Sequence, residues 1–325
     1  MTEELIKTIV QEKRLNDYAR VVNFIEINKS YELVSCPEFV DYLTAVHEKY
    51  CDNSVLNLLL KANIDSVNIM NQRSVIILSP NLYSKYTLSV VEKLVVMGVS
   101  IEAIVCVSYS FRRIIKELKT SAGGFCQKVL NKLIFRKSYY SDSLPTQFSD
   151  LKSLSRDLRI PLILVDSLNS DAFIKSCKST YSDLFVFTGG GIINSDTFES
   201  LPAKDFINCH SGFLPHYRGV DCIYWAIYNQ DRDKAGVSCH FMTSLVDRGD
   251  IILAEKVLIT PKIKTIKQLD LIVECKMVET ICRSVNLYFE GQITRKTQTF
   301  ENGSKYFKMD KSLMRKVEMR LFHES

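Results

Sequence analysis

Asn208 and His210 stand two residues apart with Cys209 between them, and Asp247-Arg248-Gly249-Asp250 begins 37 residues after the histidine (247 − 210). In an extended strand both side chains point to one face and Cys209 points to the other. An amide can hold a developing oxyanion and an imidazole can move a proton, which are the two tasks of acyl transfer. Asp247 can accept a hydrogen bond from His210 or from a bridging water, and so set the tautomer and charge of the ring. The bland alternative is a strand-end amide satisfying loop backbone beside a structural histidine. Against it, the pair ends an apolar run, residues 206–210, and enters a loop stiffened by Pro215 and closed by Gly219. Three adjacent glycines, 189–191, close the apolar run before it, and Asp247 returns after the one that follows.

These residues need a scaffold, and the apolar pattern supplies one. Short apolar runs at 75–78, 101–107, 160–165, 183–188 and 206–210 alternate with helical stretches, and 236–242 and 251–259 extend the series. Such alternation predicts an α/β fold with a mostly parallel sheet covered on both faces. Seven of the 12 glycines (189, 190, 191, 212, 219, 236, 249) fall between 189 and 249. Glycine serves where backbone turns sharply or approaches a ligand. The ligand site is therefore expected at the carboxyl ends of these strands, where open parallel sheets bind their ligands. Thr265-x-x-Gln268 is a capping box opening a long helix with Ile266, Leu269, Val273, Met277 and Ile281 on one stripe, ended by Gly291.

Composition narrows the classes. The chain has 325 residues, 46% apolar and 24% charged, with 42 Lys and Arg against 37 Asp and Glu, a net of +5. That is ordinary globular usage, and the charge is too small to imply nucleic acid by itself. The ten cysteines contain no C-x-x-C pair, and no Cys/His spacing suggests zinc. Met1-Thr2-Glu3-Glu4 is acidic with no apolar stretch behind it, so no signal peptide is expected. Residues 94–111, the nearest approach to a membrane span, are interrupted by Gly98, Ser100 and Glu102. They read as a helix end, a turn and a buried strand. A cytoplasmic protein with free thiols is the expectation.

Residues 1–72 are read as a helical extension, with Leu5, Ile6, Ile9 and Val10 on one face and Tyr18, Val21, Val22 and Ile25 on another. Asp52-Asn53-Ser54 offers caps for a run through Leu56, Leu58, Leu59 and Leu60. The extension is a candidate partner surface. Residues 111–137 carry eight Lys or Arg and one acid, Glu117, interleaved with apolar residues. A solvated helical hairpin, contact with a diphosphate or other polyanion, and adsorption to an anionic membrane surface all fit that pattern. Trp225 is read as core packing before a substrate platform.

The series Asn208-x-His210-x-Gly212-x-Leu214-Pro215-x-Tyr217-Arg218-Gly219, followed by Gly236-Val237 and Asp247-x-Gly249-Asp250, resembles the folate-dependent formyltransferase family. The resemblance runs over about residues 74–260 and is nearest the sugar N-formyltransferases. It implies a Rossmann-like catalytic domain over 73–262, followed by a C-terminal helix and small subdomain over 263–325. It implies 10-formyltetrahydrofolate as donor and no metal. By the resemblance, Asn208, His210 and Asp247 are the catalytic triad, and Gly190, Gly191, Ile192, Ile193 and Val246 bind the folate. Asn81, Tyr217 and Arg218 are the candidate contacts to the acceptor. Three departures stand out: one residue more between His210 and Asp247 than the family pattern, Ser79-Pro80-Asn81 in place of a glycine-bearing turn after the first strand, and the 1–72 extension.

The acceptor is the open question. A nucleotide-linked amino sugar for surface glycan synthesis is the leading expectation, with no nucleic acid partner, since tRNA affinity needs many phosphate contacts and the C-terminal part is short for a tRNA-binding barrel. Methionyl-tRNA, glycinamide ribonucleotide, hydrolysis of formyltetrahydrofolate, and a non-catalytic formyltransferase-like binding module stay open, as does a homodimer.

Overall fold

A computed structural model describes residues 3–28, 39, 42–43, 45–46, 73–108, 144–299 and 303–322. The basic segment 111–137 and the capped run at 52–60 lie outside the described residues. The chain divides into two units, 1–74 with 91–101, and 75–90 with 102–325. In the first, helices α1 (Glu3–Gln11) and α2 (Tyr18–Asn28) bury the expected stripes of Ile6, Ile9 and Val10, and of Val21, Val22 and Ile25. Leu5, expected on the same face, is exposed. The Tyr42 hydroxyl donates to the Arg14 carbonyl at 2.9 Å and ties down the turn after α1.

The sheet is built from β1 (Ser74–Ser79), helix α3 (Lys85–Val96), β2 (Ser100–Val107), α4 (Leu151–Asp157) and β3 (Leu162–Val165). It continues through α5 (Asp171–Lys178), β4 (Leu184–Phe187), α6 (Ser195–Ser200) and β5 (Asp205–His210). Next come β6 (Tyr217–Gly219), α7 (Cys222–Tyr228), β7 (Gly236–Phe241), β8 (Ile251–Lys256), α8 (Ile266–Phe289), β9 (Ser304–Tyr306) and α9 (Lys311–Phe322). Seven strands form one sheet in the order β3-β2-β1-β4-β5-β7-β8, and β6 pairs with β9 in a second, two-stranded sheet. β1 with β4, β4 with β5 and β2 with β3 are parallel, whereas β5 with β7 and β7 with β8 are antiparallel. This is the expected Rossmann-like, mostly parallel α/β fold.

Two strand boundaries differ from the sequence reading by more than one residue. The third strand begins at Leu162 rather than 160, at the sheet edge, and the last strand stops at Lys256, leaving Leu258 exposed. Apolarity alone marks a buried segment but cannot say where pairing stops.

One face of the sheet packs Ile76, Leu78, Val105, Phe185 and Phe206 against Leu168, Phe173 and Leu201. α8 covers β5, β7 and β8 on the other face through Leu269, Val273, Met277, Ile281 and Val285, all buried. Burying each such side chain is worth about 1.5–3 kcal/mol. α8 begins at the expected N-cap, but Gln268 reaches back to the N–H one residue before the cap. Thr265 Oγ1 accepts from Gln268 N at 3.1 Å, and Gln268 Oε1 accepts from Lys264 N at 2.7 Å. The carboxyl ends of β1 and β4 are pinned by a buried hydroxyl chain in which Ser79, Thr87 and Thr188 lie 3.0 and 2.8 Å apart. Thr188 Oγ1 ends the chain by donating to the Leu78 carbonyl at 2.7 Å. No helix among the described residues is long and apolar enough to cross a membrane.

Candidate active site

β5 carries Asn208 and His210 to the carboxyl edge of the sheet, opposite Phe187 of β4 on one side and opposite His240 and Ser238 of β7 on the other. Between Cys239 and His240 the β7–β8 register slips by one residue, so that Leu253 pairs with Cys239 and Ile251 with His240. Bulges of this kind re-aim a side chain and sit near active sites. The chain then turns through 242–250 and places Asp247 beside both histidines. His210 Nδ1 lies 3.8 Å from Asp247 Oδ2, and His240 Nε2 lies 3.7 Å from Oδ1. Both separations are too long for a hydrogen bond. All three side chains are buried.

Each member has its own support. His210 Nε2–H donates to the Tyr217 carbonyl at 3.0 Å, and Gly219 N–H donates to Asp247 Oδ2 at 3.0 Å. A side chain at Gly219 would put its Cβ 2.1 Å from the Tyr306 carbonyl, and φ there is +103°, so only glycine lets β6 run this close to β9. Ser238 Oγ accepts from Leu214 N at 2.9 Å and holds the loop after β5. Gln298 Nε2 donates to the carbonyls of Asp247 and Gly249 at 3.1 and 2.7 Å, bracing the turn from behind. Asp247 itself sits at φ +56°, a left-handed conformation that Asp tolerates better than most residues.

Burial works to raise the Asp247 pKa, but His210, His240 and the Gly219 N–H outweigh it and hold the carboxyl down at about 2. For His210, burial favours the neutral ring, with Asp247 pulling in the opposite sense. Neutral His210 beside an ionised Asp247 is the resting state that follows.

A cleft of about 90 Å³ opens at this edge, lined by Phe187, 191–193, Asn208, His240 and 242–247. It thus gathers Asn208 and Asp247 with Gly191, Ile192, Ile193 and Val246 of the expected folate contacts. His210 stands behind its wall, and Gly190 faces inward, where an added Cβ would meet Leu168 Cδ1 at 2.8 Å. The cleft admits only a few reacting atoms, well below the ~300–1,000 Å³ of a ligand pocket. Its rim is apolar and open to solvent, with Ile192 71%, Leu245 56% and Val246 50% exposed. The Asn208 side chain makes no hydrogen bond to another described residue, which leaves its amide for a ligand.

The three expected acceptor contacts make protein contacts here. Arg218 is buried with Nη2 donating to the Gly303 carbonyl at 2.9 Å, Tyr217 is buried with its hydroxyl 3.3 Å from Asp231 Oδ2, and Asn81 Oδ1 accepts from Tyr83 N at 2.8 Å. Trp225 packs 5.2 Å from Tyr306, and its Nε1–H donates to the Phe307 carbonyl at 2.8 Å. His240 and Gln298 are the site residues that the sequence reading did not single out. For His240 the signal was present as a period-two pattern, since Ser238 and His240 share a strand face.

Residues 144–282 match the formyl transferase family model, a span that runs from just before α4 well into α8 and includes Asn208, His210 and Asp247. This part of the chain belongs to the formyl transferase family. The chain is 33% identical over 111 residues to a methionyl-tRNA formyltransferase of Desulforamulus reducens, covering 34% of this chain and 35% of that one. It is 31% identical over 165 residues to the methionyl-tRNA formyltransferase of Clostridioides difficile, covering 51% and 53%. A sugar N-formyltransferase from a Shewanella species superposes with a TM-score of 0.48 at 16% identity, over 77% of this chain and 88% of that one. The chain spans between about a third and about half of the length of these two methionyl-tRNA formyltransferases.

Proposed function

We propose that this protein transfers a formyl group from 10-formyltetrahydrofolate to a primary amine. The observation that carries the reading is the cleft wall, on which Asn208 and Asp247 stand together with His210 directly behind. Asn208 donates to the oxyanion as the amine attacks the formyl carbon, and His210 and Asp247 handle the amine's proton. The exposed apolar rim of Ile192, Leu245 and Val246, with open backbone at Gly191, supports docking of a flat heteroaromatic ring such as the pterin, outside a cleft that holds only its reactive end. Residues 73–262 are the catalytic part, 263–325 a C-terminal helix with an appended strand and helix, and 1–72 an extension for a partner. The free thiols of the described cysteines support a reducing cytoplasm.

For the acceptor we favour a nucleotide-linked amino sugar. A net charge of +5 over 325 residues is modest for tRNA, whose affinity comes from many phosphate contacts. The second reading is the amine of a methionyl-tRNA, favoured by the similarity to methionyl-tRNA formyltransferases. Incubation with 10-formyltetrahydrofolate and, in parallel, dTDP-, UDP- and GDP-amino sugars or methionyl-tRNA separates them by the mass of the product. Formylation of a sugar nucleotide supports the first, formylation of methionyl-tRNA alone supports the second, and tetrahydrofolate release in water alone would replace both with a hydrolase.

A further inference from the structure

Backbone carbonyls fix the tautomer of both histidines beside Asp247. His210 Nε2 is 3.0 Å from the Tyr217 carbonyl and His240 Nδ1 is 2.7 Å from that of Phe241. A carbonyl oxygen only accepts, so in each neutral ring the proton sits on that nitrogen. The nitrogens left with lone pairs, Nδ1 of His210 and Nε2 of His240, are the two that face Asp247, at 3.8 and 3.7 Å. His240 Nε2 is fully buried and has no hydrogen-bond partner among the described residues. The carboxylate is an acceptor as well. Three acceptors thus enclose a space in which the Gly219 N–H, on Oδ2, is the donor in place.

We infer that His240 is a second proton seat, so that His210, Asp247 and His240 act as one unit holding a single proton between the carboxylate and either facing ring nitrogen. A proton on either nitrogen turns an opposed pair into a charge-assisted N–H···O bond and draws it in to roughly 2.7–2.9 Å. A second proton would set two positive rings against one carboxylate beside the Arg218 guanidinium, so the unit takes one at a time. The groups facing it are His210 on β5, His240 on β7, and the Arg218 guanidinium near β6 and Cys222 thiol of α7, both of which interact electrostatically with Asp247. Both rings are buried, but His240 borders the cleft together with Asn208 and Asp247, whereas His210 does not.

The catalytic use of this unit rests on the formyl transfer proposed above. The amine nitrogen bonds to the formyl carbon, and the carbonyl electron pair moves to oxygen beside Asn208. The nitrogen then loses its proton to the unit. As the oxyanion collapses, the bond from carbon to N10 of the folate breaks, and the unit returns the proton to N10. His240 receives the proton on the cleft side, and His210 shares it across Asp247.

The test begins without substrate. In the full-length protein labelled with ¹⁵N-histidine, NMR should find the Nδ1–H tautomer at His240 and the Nε2–H tautomer at His210 at neutral pH. In His240→Gln, His210 should titrate at higher pH than in the wild type, because a competing positive charge has gone. An Nε2–H tautomer at His240, or an unmoved His210 titration, would overturn the inference. With substrates, His240→Gln should lower kcat about tenfold with KM within about twofold, and shift the acid limb of the rate profile upward in pH. Coupled histidines without formylated product would retain the unit and remove the proposed reaction. Formylated product with uncoupled histidines would do the reverse.

Discussion

The cleft at the carboxyl edge of β4, β5 and β7 encloses about 90 Å³, and the groove beside β8 about 850 Å³, yet Asn208, His240 and Asp247 line the smaller space. The groove is lined by 213–216, 251–254, Gln292, Thr294 and 296–299. Its Gln292, Thr294, Lys296, Thr297 and Thr299 are exposed, so their polar groups remain in water. The cleft has His240 and the Asp247 carboxylate on its wall and His210 behind it, all three stripped of solvent and held by backbone. In a desolvated site each charge acts more strongly, which is why the Asp247 carboxyl is held far below its ordinary range there. The two regions share one wall. Gln298 lines the groove, but its amide reaches through to the Asp247 and Gly249 carbonyls on the cleft side.

Substitutions on either side of that wall should separate the two regions. Asp247→Asn removes the charge at the centre of the cleft and should lower kcat by about 10²–10⁴-fold, the range for a lost acid–base group, as read by tetrahydrofolate release. The same carboxyl carries a pH signature. Its pKa falls from 3.8 to about 2 on folding, so its contribution is complete above pH 3.8 and is lost as pH drops toward 2. That amounts to roughly 2 kcal/mol, visible as a falling urea midpoint over that window in the wild type and missing from Asp247→Asn. Asn208→Ala should keep its thermal midpoint and lose ~10²–10³ in kcat, as expected for one oxyanion donor. Gln298→Ala acts through the shared wall, and should cost about 1–3 kcal/mol in a denaturant titration, with a smaller, roughly tenfold loss of kcat. Lys296→Ala, on the groove face, should leave kcat within about twofold of the wild type. A large loss there would move the chemistry toward the groove.

Asn208, His210 and Asp247 were legible in the sequence because strand periodicity, a glycine-bearing turn and a family pattern agree on them. The α/β layering was legible for the same reason that short apolar runs must be buried on both faces. His240 lies in a run read only as a strand, and its relation to Asp247 depends on antiparallel pairing with β5 and on a one-residue slip against β8. Neither is encoded locally. Arg218 is the opposite case, for an arginine in a motif loop fits an acidic ligand and a loop-fixing role about equally well. Here the chain just before β9 returns from far along the sequence and offers the Gly303 carbonyl to the guanidinium. Gln298 escapes notice for the same reason, since its partners lie about fifty residues earlier.

Acceptor-dependent release of tetrahydrofolate from 10-formyltetrahydrofolate, followed together with the mass of the formylated amine, tests the central claim most directly. The account predicts one formylated amine per tetrahydrofolate released by the wild type, slowed by at least about a hundredfold in Asn208→Ala. Folded wild-type protein that forms no formylated amine with any acceptor of the panel, or an Asn208→Ala variant that turns over at the wild-type rate, would contradict it.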